Sequence, residues 1–165
     1  MTTVLVVRHA EAEEAAEAAR AGRSENARRL TPDGARQMKK GARGLATLVD
    51  TPAVILSSPL TRAVETAGLL AEAFPAAKLE RHVRLAPGFD PAALLHWAGR
   101  YGAVMLVGHE PDLSQWIGYA VSGEPRSLVR MKKGSVCRLD MPASGHAGEA
   151  EIVWLLTLKQ LAALA

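Results

Sequence analysis

Two arginines and two histidines stand shortly after apolar segments of this chain, in positions where their side chains could meet. They are Arg8, His9, Arg62 and His109. Guanidinium groups match the geometry of phosphate oxygens and stay charged at physiological pH. A neutral imidazole is available as a nucleophile because the ordinary pKa of histidine is about 6.5. Such a set could neutralise a phosphoryl group and attack its phosphorus in line with the leaving group.

The apolar segments before these residues are predicted to be buried β-strands. They are Thr3–Val7, Ala53–Leu56 and Ala103–Val107. Short runs of this composition are typical of parallel strands that are covered by helices on both faces. Parallel strands carry function beyond their carboxyl ends, where the next helix begins and can face a ligand. We therefore expect the four side chains to lie together at the carboxyl ends of the strands. Helix N-termini would stand behind two of them, an arrangement that favours phosphate binding.

Helices are predicted after two of the strands. Thr31–Pro32 is typical of an N-cap followed by the first helical position, and apolar residues continue at helical spacing as far as Val49. Ser58–Pro59 predicts the same kind of start for a helix that runs to about Phe74. Arg62 then falls in the first helical turn, where the macrodipole disfavours a cation unless an anion binds nearby.

The remaining pattern completes the predicted fold. Strands are expected at Lys78–Arg84, Ser135–Met141 and Ile152–Leu158, and further helices at Pro91–Gly99 and from Leu113. Strands and helices alternate through most of the chain, which predicts an α/β fold: a three-layer αβα sandwich with a mainly parallel central sheet. The alternation in Ser135–Met141 suggests an antiparallel edge. No linker or repeat interrupts residues 1–165, so a single domain is expected.

Composition excludes several classes of function. The net charge of +3 and the pI near 9.3 arise from charges spread along the 165 residues, so no nucleic-acid partner is expected. Cys137 is the only cysteine, which leaves no intramolecular disulfide or zinc cluster and suggests a reducing compartment. The first strand begins too early for a signal peptide, and no apolar run could span a bilayer. We expect a cytoplasmic protein without a membrane partner; the oligomeric state stays open.

The motifs together resemble those of a known family. The matching segments are Arg8–Glu11, Leu30–Gly34, Ser57–Ala63 with Glu65–Ala67, and Val107–Pro111. In this order and spacing they resemble the histidine phosphatase (phosphoglycerate mutase-like) superfamily. The short length and the segment Met131–Gly134 resemble its SixA-type phosphohistidine phosphatases.

The resemblance implies a mechanism. His9 would attack phosphorus and become a phosphohistidine, while Arg8, Arg62 and His109 would bind the phosphoryl oxygens and stabilise the transition state. Water would then hydrolyse the intermediate. No metal and no other cofactor would be needed, because the arginines supply the charge that Mg²⁺ would otherwise bring. The implied substrate is phosphohistidine in a protein partner. A small phosphate ester hydrolysed by the same mechanism and a non-catalytic phosphate-binding module are the alternatives.

The sequence departs from the family pattern at two places. Ala10 replaces the usual glycine after the catalytic histidine. The Glu that larger members use as general acid is missing from Leu85–Asp90, which leaves Asp90, Glu11 and Glu110 as candidates. Without a strong acid the site suits phosphoramidates or activated esters, since an imidazole leaving group can depart as a neutral ring. The segment Ala12–Arg29 is expected to form either a short helix or a loop that covers the site.

Overall fold

All six strands of the protein join one sheet. The computed structural model describes residues Met1–Ala165. The strands are β1 (Thr2–Arg8), β2 (Val54–Ser57), β3 (Lys78–Arg81), β4 (Ala103–Gly108), β5 (Val136–Met141) and β6 (Glu151–Leu156). Their spatial order is β3-β2-β4-β1-β5-β6. The first four of that order are parallel to one another, whereas β5 and β6 are antiparallel additions. The predicted antiparallel edge is confirmed.

Helices cover both faces of this sheet. They are α1 (Ala15–Arg20), α2 (Pro32–Leu45), α3 (Thr61–Ala73), α4 (Pro91–Ala98), α5 (Asp112–Ser122) and α6 (Leu158–Ala162). Helices α2, α3 and α6 pack on one face, and α4 and α5 pack on the other. The predicted αβα sandwich with its mainly parallel sheet is confirmed. None of the helices combines the length and the apolar character needed to cross a bilayer.

The core follows the two-residue period of the strands. In β1, Val4 and Val6 belong to the layer under α4 and α5, whereas Leu5 and Val7 belong to the layer under α2, α3 and α6. Strands β2 and β4 divide their side chains in the same way. Because successive side chains of a strand point to opposite faces, a continuous apolar run fills both layers at once. The central strands are therefore rigidly held, and their carboxyl ends have little freedom to move.

The strand order brings the predicted site residues to the carboxyl ends of three central strands. Strands β2, β4 and β1 are neighbours, with Ser57 paired to Val107 and Arg8 paired to Gly108. The carboxyl ends of these three strands therefore lie side by side, as the sequence predicts.

Several predicted boundaries are wrong. Helix α3 begins at Thr61 with Leu60 as N-cap, so Pro59 is not its first residue, and the Ser58 hydroxyl instead accepts the Leu60 amide at 3.2 Å. Helix α2 ends at Leu45, before the predicted end. Strands β3 and β6 are shorter than predicted, because a 3-10 turn at Val83–Leu85 follows the first and the N-cap of α6 follows the second.

Two contacts close the segment between β1 and α2. It contains the short helix α1 and a 3-10 turn at Glu25–Ala27. Its two ends meet in an isolated antiparallel bridge between Ala12 and Leu30. The Leu30 amide also donates to Glu65 Oε2 of α3 at 2.7 Å. The segment thus forms a closed loop tied to α3, beside the carboxyl end of β1.

Candidate active site

A cleft of about 350 Å³ opens at the carboxyl ends of β1 and β4. It is lined by Arg8, His9, Ala12, Glu14, Glu25, Arg28, Arg62, His109, Glu110 and Lys133. All four residues of the predicted phosphate site are among them. Of the three carboxylates considered as general acid, only Glu110 lines the cleft.

His9 is buried, and its orientation is set by the backbone. Its Nδ1–H donates to the carbonyl oxygen of Ala10 at 2.7 Å. Because a carbonyl can only accept, the neutral ring carries its proton on Nδ1 and keeps the lone pair on Nε2. The pKa of His9 is lowered to about 4, chiefly because the ring is buried. The Ala10 hydrogen bond opposes this shift, and the charges of Arg62 and Arg8 add to it. His9 is therefore neutral at pH 7, the state in which it can act as a nucleophile.

His109 lies beside His9 on the adjacent strand end. The two ring centroids are 5.2 Å apart and the planes are tilted by 54°. His109 Nε2 lies 2.7 Å from the Ser58 hydroxyl, whereas its buried Nδ1 has no hydrogen-bond partner. Burial lowers the pKa of His109 to about 3, with further contributions from His9 and Arg62. Both imidazoles are therefore uncharged at pH 7.

The two predicted arginines are held by backbone carbonyls. Arg8 Nη1 donates to Met131 O at 2.8 Å, and Arg62 Nη1 donates to Glu25 O at 3.0 Å. The charge of Arg8 has no carboxylate partner, and the nearest carboxylate oxygen to Arg62 is Glu25 Oε1, 3.7 Å from Nη2. The buried Nε atoms of both arginines have no partner. Burial lowers the pKa of Arg62, and repulsion from Arg28 acts in the same direction. Buried donors that lack partners and carry positive charge favour binding of an anion.

Arg28 is a third guanidinium in the cleft that is not predicted from the sequence. Its Nη2 donates to Glu25 Oε1 at 2.7 Å, and the same carboxylate oxygen lies 3.7 Å from Arg62 Nη2. The Arg28 Nε is buried without a partner. No local pattern distinguishes Arg28 from the adjacent Arg29; only the closed path of the segment between β1 and α2 brings it to Arg62.

The family comparison agrees with this geometry. Residues 4–125 match the profile of the Histidine phosphatase superfamily (branch 1), a range that runs from within β1 to beyond α5 and includes all four predicted site residues. The chain belongs to the histidine phosphatase superfamily.

Solved structures of histidine phosphatases share the fold. The protein histidine phosphatase SixA complexed with tungstate superimposes with a TM-score of 0.82 at 18% identity, covering 97% of this chain and 99% of the other. A structure from Agrobacterium tumefaciens assigned as a phosphohistidine phosphatase SixA gives 0.75 at 23% identity, covering 94% and 97%. Phosphoserine phosphatase from Entamoeba histolytica with 3-phosphoglyceric acid gives 0.65 at 17% identity, covering 98% and 100%. The predicted phosphoglycerate mutase-like fold is confirmed.

A relative in sequence covers less of the chain. An uncharacterized protein of Picosynechococcus sp. is 36% identical over 94 residues, which are 52% of this chain and 54% of the relative. The chain thus matches about half the length of that relative.

Of the three candidate general acids, Glu110 is engaged in hydrogen bonds and the other two do not line the cleft. Glu110 accepts the Ser114 amide at 2.9 Å on one carboxylate oxygen and the Ser114 hydroxyl on the other, within the first turn of α5. Asp90 is the N-cap of α4 and accepts the amides of Ala92 and Ala93. Glu11 is exposed and does not line the cleft. Which of the three, if any, donates a proton stays a prediction; Glu14 also lines the cleft and is not predicted from the sequence.

The replacement of glycine by Ala10 is compatible with the backbone. Ala10 is fully buried, and no residue other than glycine has a positive φ anywhere in the chain. Position 10 therefore does not need the left-handed conformation that only glycine adopts readily.

Proposed function

We propose that the protein is a metal-independent phosphatase that forms a phosphohistidine on His9 and acts on phosphohistidine in a protein partner. The observation that carries the proposal is the orientation of His9. Its Nδ1–H is held by Ala10 O, and its ring lies in a cleft with three guanidinium groups and a second imidazole. A neutral nucleophile surrounded by cations is the arrangement that phosphoryl transfer needs.

The phosphoryl group would be bound by Arg8, Arg28, Arg62 and His109. The guanidinium groups are always protonated and can each offer more than one N–H to phosphate oxygens. They would neutralise the charge on the equatorial oxygens as the transition state forms. Because each is fixed by the protein before substrate arrives, little reorganisation is needed during the reaction.

The reaction has two displacements at phosphorus. In the first, the Nε2 lone pair of His9 forms a bond to phosphorus, and the bond to the leaving nitrogen or oxygen breaks with its electron pair. In the second, water attacks the phosphohistidine, releases inorganic phosphate and regenerates neutral His9. Burial keeps His109 neutral. The negative phosphoryl group would favour its charged form, which would donate to a phosphate oxygen.

The disposition of the carboxylates supports a phosphoramidate substrate. Glu110 is engaged by Ser114, and Asp90 caps α4 away from the cleft. An alkoxide leaving group needs a strong acid, whereas a protonated phosphohistidine can release a neutral imidazole. The likeness to the protein histidine phosphatase SixA supports the same substrate class.

The proposal is tested by comparing rates of hydrolysis with EDTA present. The substrates are a phosphohistidine-containing protein, sugar phosphates and an aryl phosphate. We expect preference for phosphohistidine, no effect of EDTA and no turnover by His9→Ala. A preference for a small phosphate ester would retain the mechanism and reject the protein substrate. If the wild type hydrolyses none of these substrates but still binds tungstate, the protein is a phosphate-binding module and not an enzyme. Loss of activity with EDTA would reject metal independence.

A further inference from the structure

Thr66 connects the helix that carries Arg62 to the residue after His9. It lies one helical turn after Arg62 in α3 and is completely buried. Its hydroxyl donates to the carbonyl oxygen of Arg62 at 2.8 Å and accepts the amide N–H of Ala10 at 3.1 Å. A hydroxyl has one hydrogen, and a carbonyl can only accept. The bond to Arg62 therefore leaves the Thr66 oxygen free to act as the acceptor for Ala10.

The backbone amide and the carbonyl of Ala10 each make one hydrogen bond. Its amide donates only to Thr66, and its carbonyl accepts only from His9 Nδ1. The flanking residues are anchored elsewhere: the His9 amide donates to Gly108 O, and the Glu11 carbonyl accepts from Thr31. A change of Ala10 backbone dihedrals would redirect its carbonyl without disturbing those anchors. The peptide unit between His9 and Ala10 has two anchors, because the Gly134 amide donates to His9 O at 3.1 Å and the Ala10 amide donates to Thr66. Thr66 is the only side chain that anchors this unit, and its bond opposes a rotation at Ala10.

We propose that Thr66 is a positioning residue that keeps the Ala10 carbonyl aligned with His9 Nδ1. This alignment maintains the neutral tautomer whose lone pair is on Nε2, so Thr66 sets the fraction of molecules with a competent nucleophile. The effect on turnover rests on the proposed function, whereas the effect on the tautomer does not. Since the same hydroxyl contacts the first turn of α3, Thr66 also couples the position of the nucleophile to that of Arg62.

A purely structural role for Thr66 would give different results. A threonine inside a helix commonly satisfies its hydroxyl with the carbonyl four residues earlier, and that bond alone would serve stability. The bond from Ala10 joins residues that are 56 positions apart in the sequence. Removing it leaves a buried amide without a partner at the one residue that orients the histidine.

The test compares Thr66→Val with Thr66→Ser and with Thr2→Val. Valine keeps the shape of threonine and removes the hydroxyl, and serine keeps the hydroxyl. Thr2 is the matched control, because it is buried like Thr66 and its hydroxyl donates to Tyr101 O at 2.7 Å. Thr2 lies at the start of β1, at the opposite end of the strand from His9. The His9 tautomer is measured from ¹⁵N shifts of the imidazole, assigned with His9→Gln, and kcat and KM are measured on phosphohistidine.

We expect Thr66→Val to raise the population of the Nε2–H tautomer of His9 and to lower kcat by about tenfold, the equivalent of one hydrogen bond, with little change in KM. Thr66→Ser should restore both values, and Thr2→Val should change neither. If Thr66→Val does not fold, Thr66→Ala takes its place.

Two results would overturn the proposal. One is a wild-type tautomer ratio in folded Thr66→Val. The other is equal loss of kcat in Thr66→Ser and Thr66→Val, which would indicate packing rather than the hydroxyl. If the wild type hydrolyses nothing, the proposed function fails, and the tautomer ratio still decides the role of Thr66.

Discussion

The neutral state of His9 and His109 makes stability depend on pH. Their pKa values of about 4 and about 3 lie below the ordinary 6.5, chiefly because both rings are buried. Below pH 6.5 the unfolded chain binds protons that the folded protein excludes, so stability is present above pH 6.5 and decreases as the pH falls towards 4 and 3. We predict a loss of a few kcal/mol in the free energy of unfolding between about pH 7.5 and pH 4.5, measured with urea.

Substitution of a buried histidine separates the contribution of the histidines to the pH dependence of stability from that of the carboxylates. The slope of unfolding free energy against pH should flatten in His109→Gln and stay unchanged in His146→Gln, because the side chain of His146 is largely exposed. Equal slopes in all three proteins would contradict the assignment.

Binding of an anion should convert His109 from the neutral imidazole to the imidazolium. A dianion beside the ring favours the imidazolium, so we predict proton uptake when tungstate binds near pH 6.5. Calorimetry in buffers of different ionisation enthalpy measures the number of protons. In His109→Gln the uptake should be lost; an uptake near zero in the wild type would show that the neutral ring binds the anion.

Glycine permits close packing between α2 and α6. A Cβ on Gly44 would lie 1.8 Å from Leu161 O, whereas a Cβ on Gly68 in α3 would meet nothing within 4 Å. We predict that Gly44→Ala lowers the free energy of unfolding by roughly 2–4 kcal/mol, since two backbones must separate. Gly68→Ala, at an open helical position, should raise it by about 0.5–1 kcal/mol. Urea denaturation measures both, and similar effects of the two substitutions would contradict the packing argument.

Helix α3 also holds the segment that contributes Arg28. Glu65 accepts the Leu30 amide at 2.7 Å, two residues after Arg28. We predict that Glu65→Ala weakens tungstate binding about 3- to 10-fold, because a charge-assisted hydrogen bond that fixes this segment is lost. Glu72→Ala is the control on the same helix: its exposed carboxylate pairs with Lys39 and should not influence binding. Equal affinities of the two variants would argue against this role.

The whole fold protects the single thiol. Cys137 is fully buried in β5, and burial raises the pKa of its thiol to about 12. Because only the thiolate reacts, we predict negligible labelling by a disulfide reagent in native buffer and complete labelling after unfolding in urea. The labelling rate then reports opening of the core. Rapid labelling of the native protein would show that β5 opens locally.

Much of the molecule is already determined by contiguous residues. The apolar runs before Arg8 and His109 predict strands, and the strand-end position of both residues predicts where they meet. These inferences succeed because strand periodicity and the sides on which parallel strands end are local properties of the chain. The family resemblance rests on the same short segments, and the superfamily match confirms it.

Other features depend on contacts between residues that are distant in the sequence. Arg28 reaches Arg62 through Glu25, and Thr66 reaches Ala10, only because the loop after β1 closes against α3. The sequence alone therefore determines the order of the strands, the strand-end positions of Arg8, His9 and His109, and the family. Tertiary packing alone decides which distant residues surround His9, because hydrogen bonds between distant segments leave no local pattern.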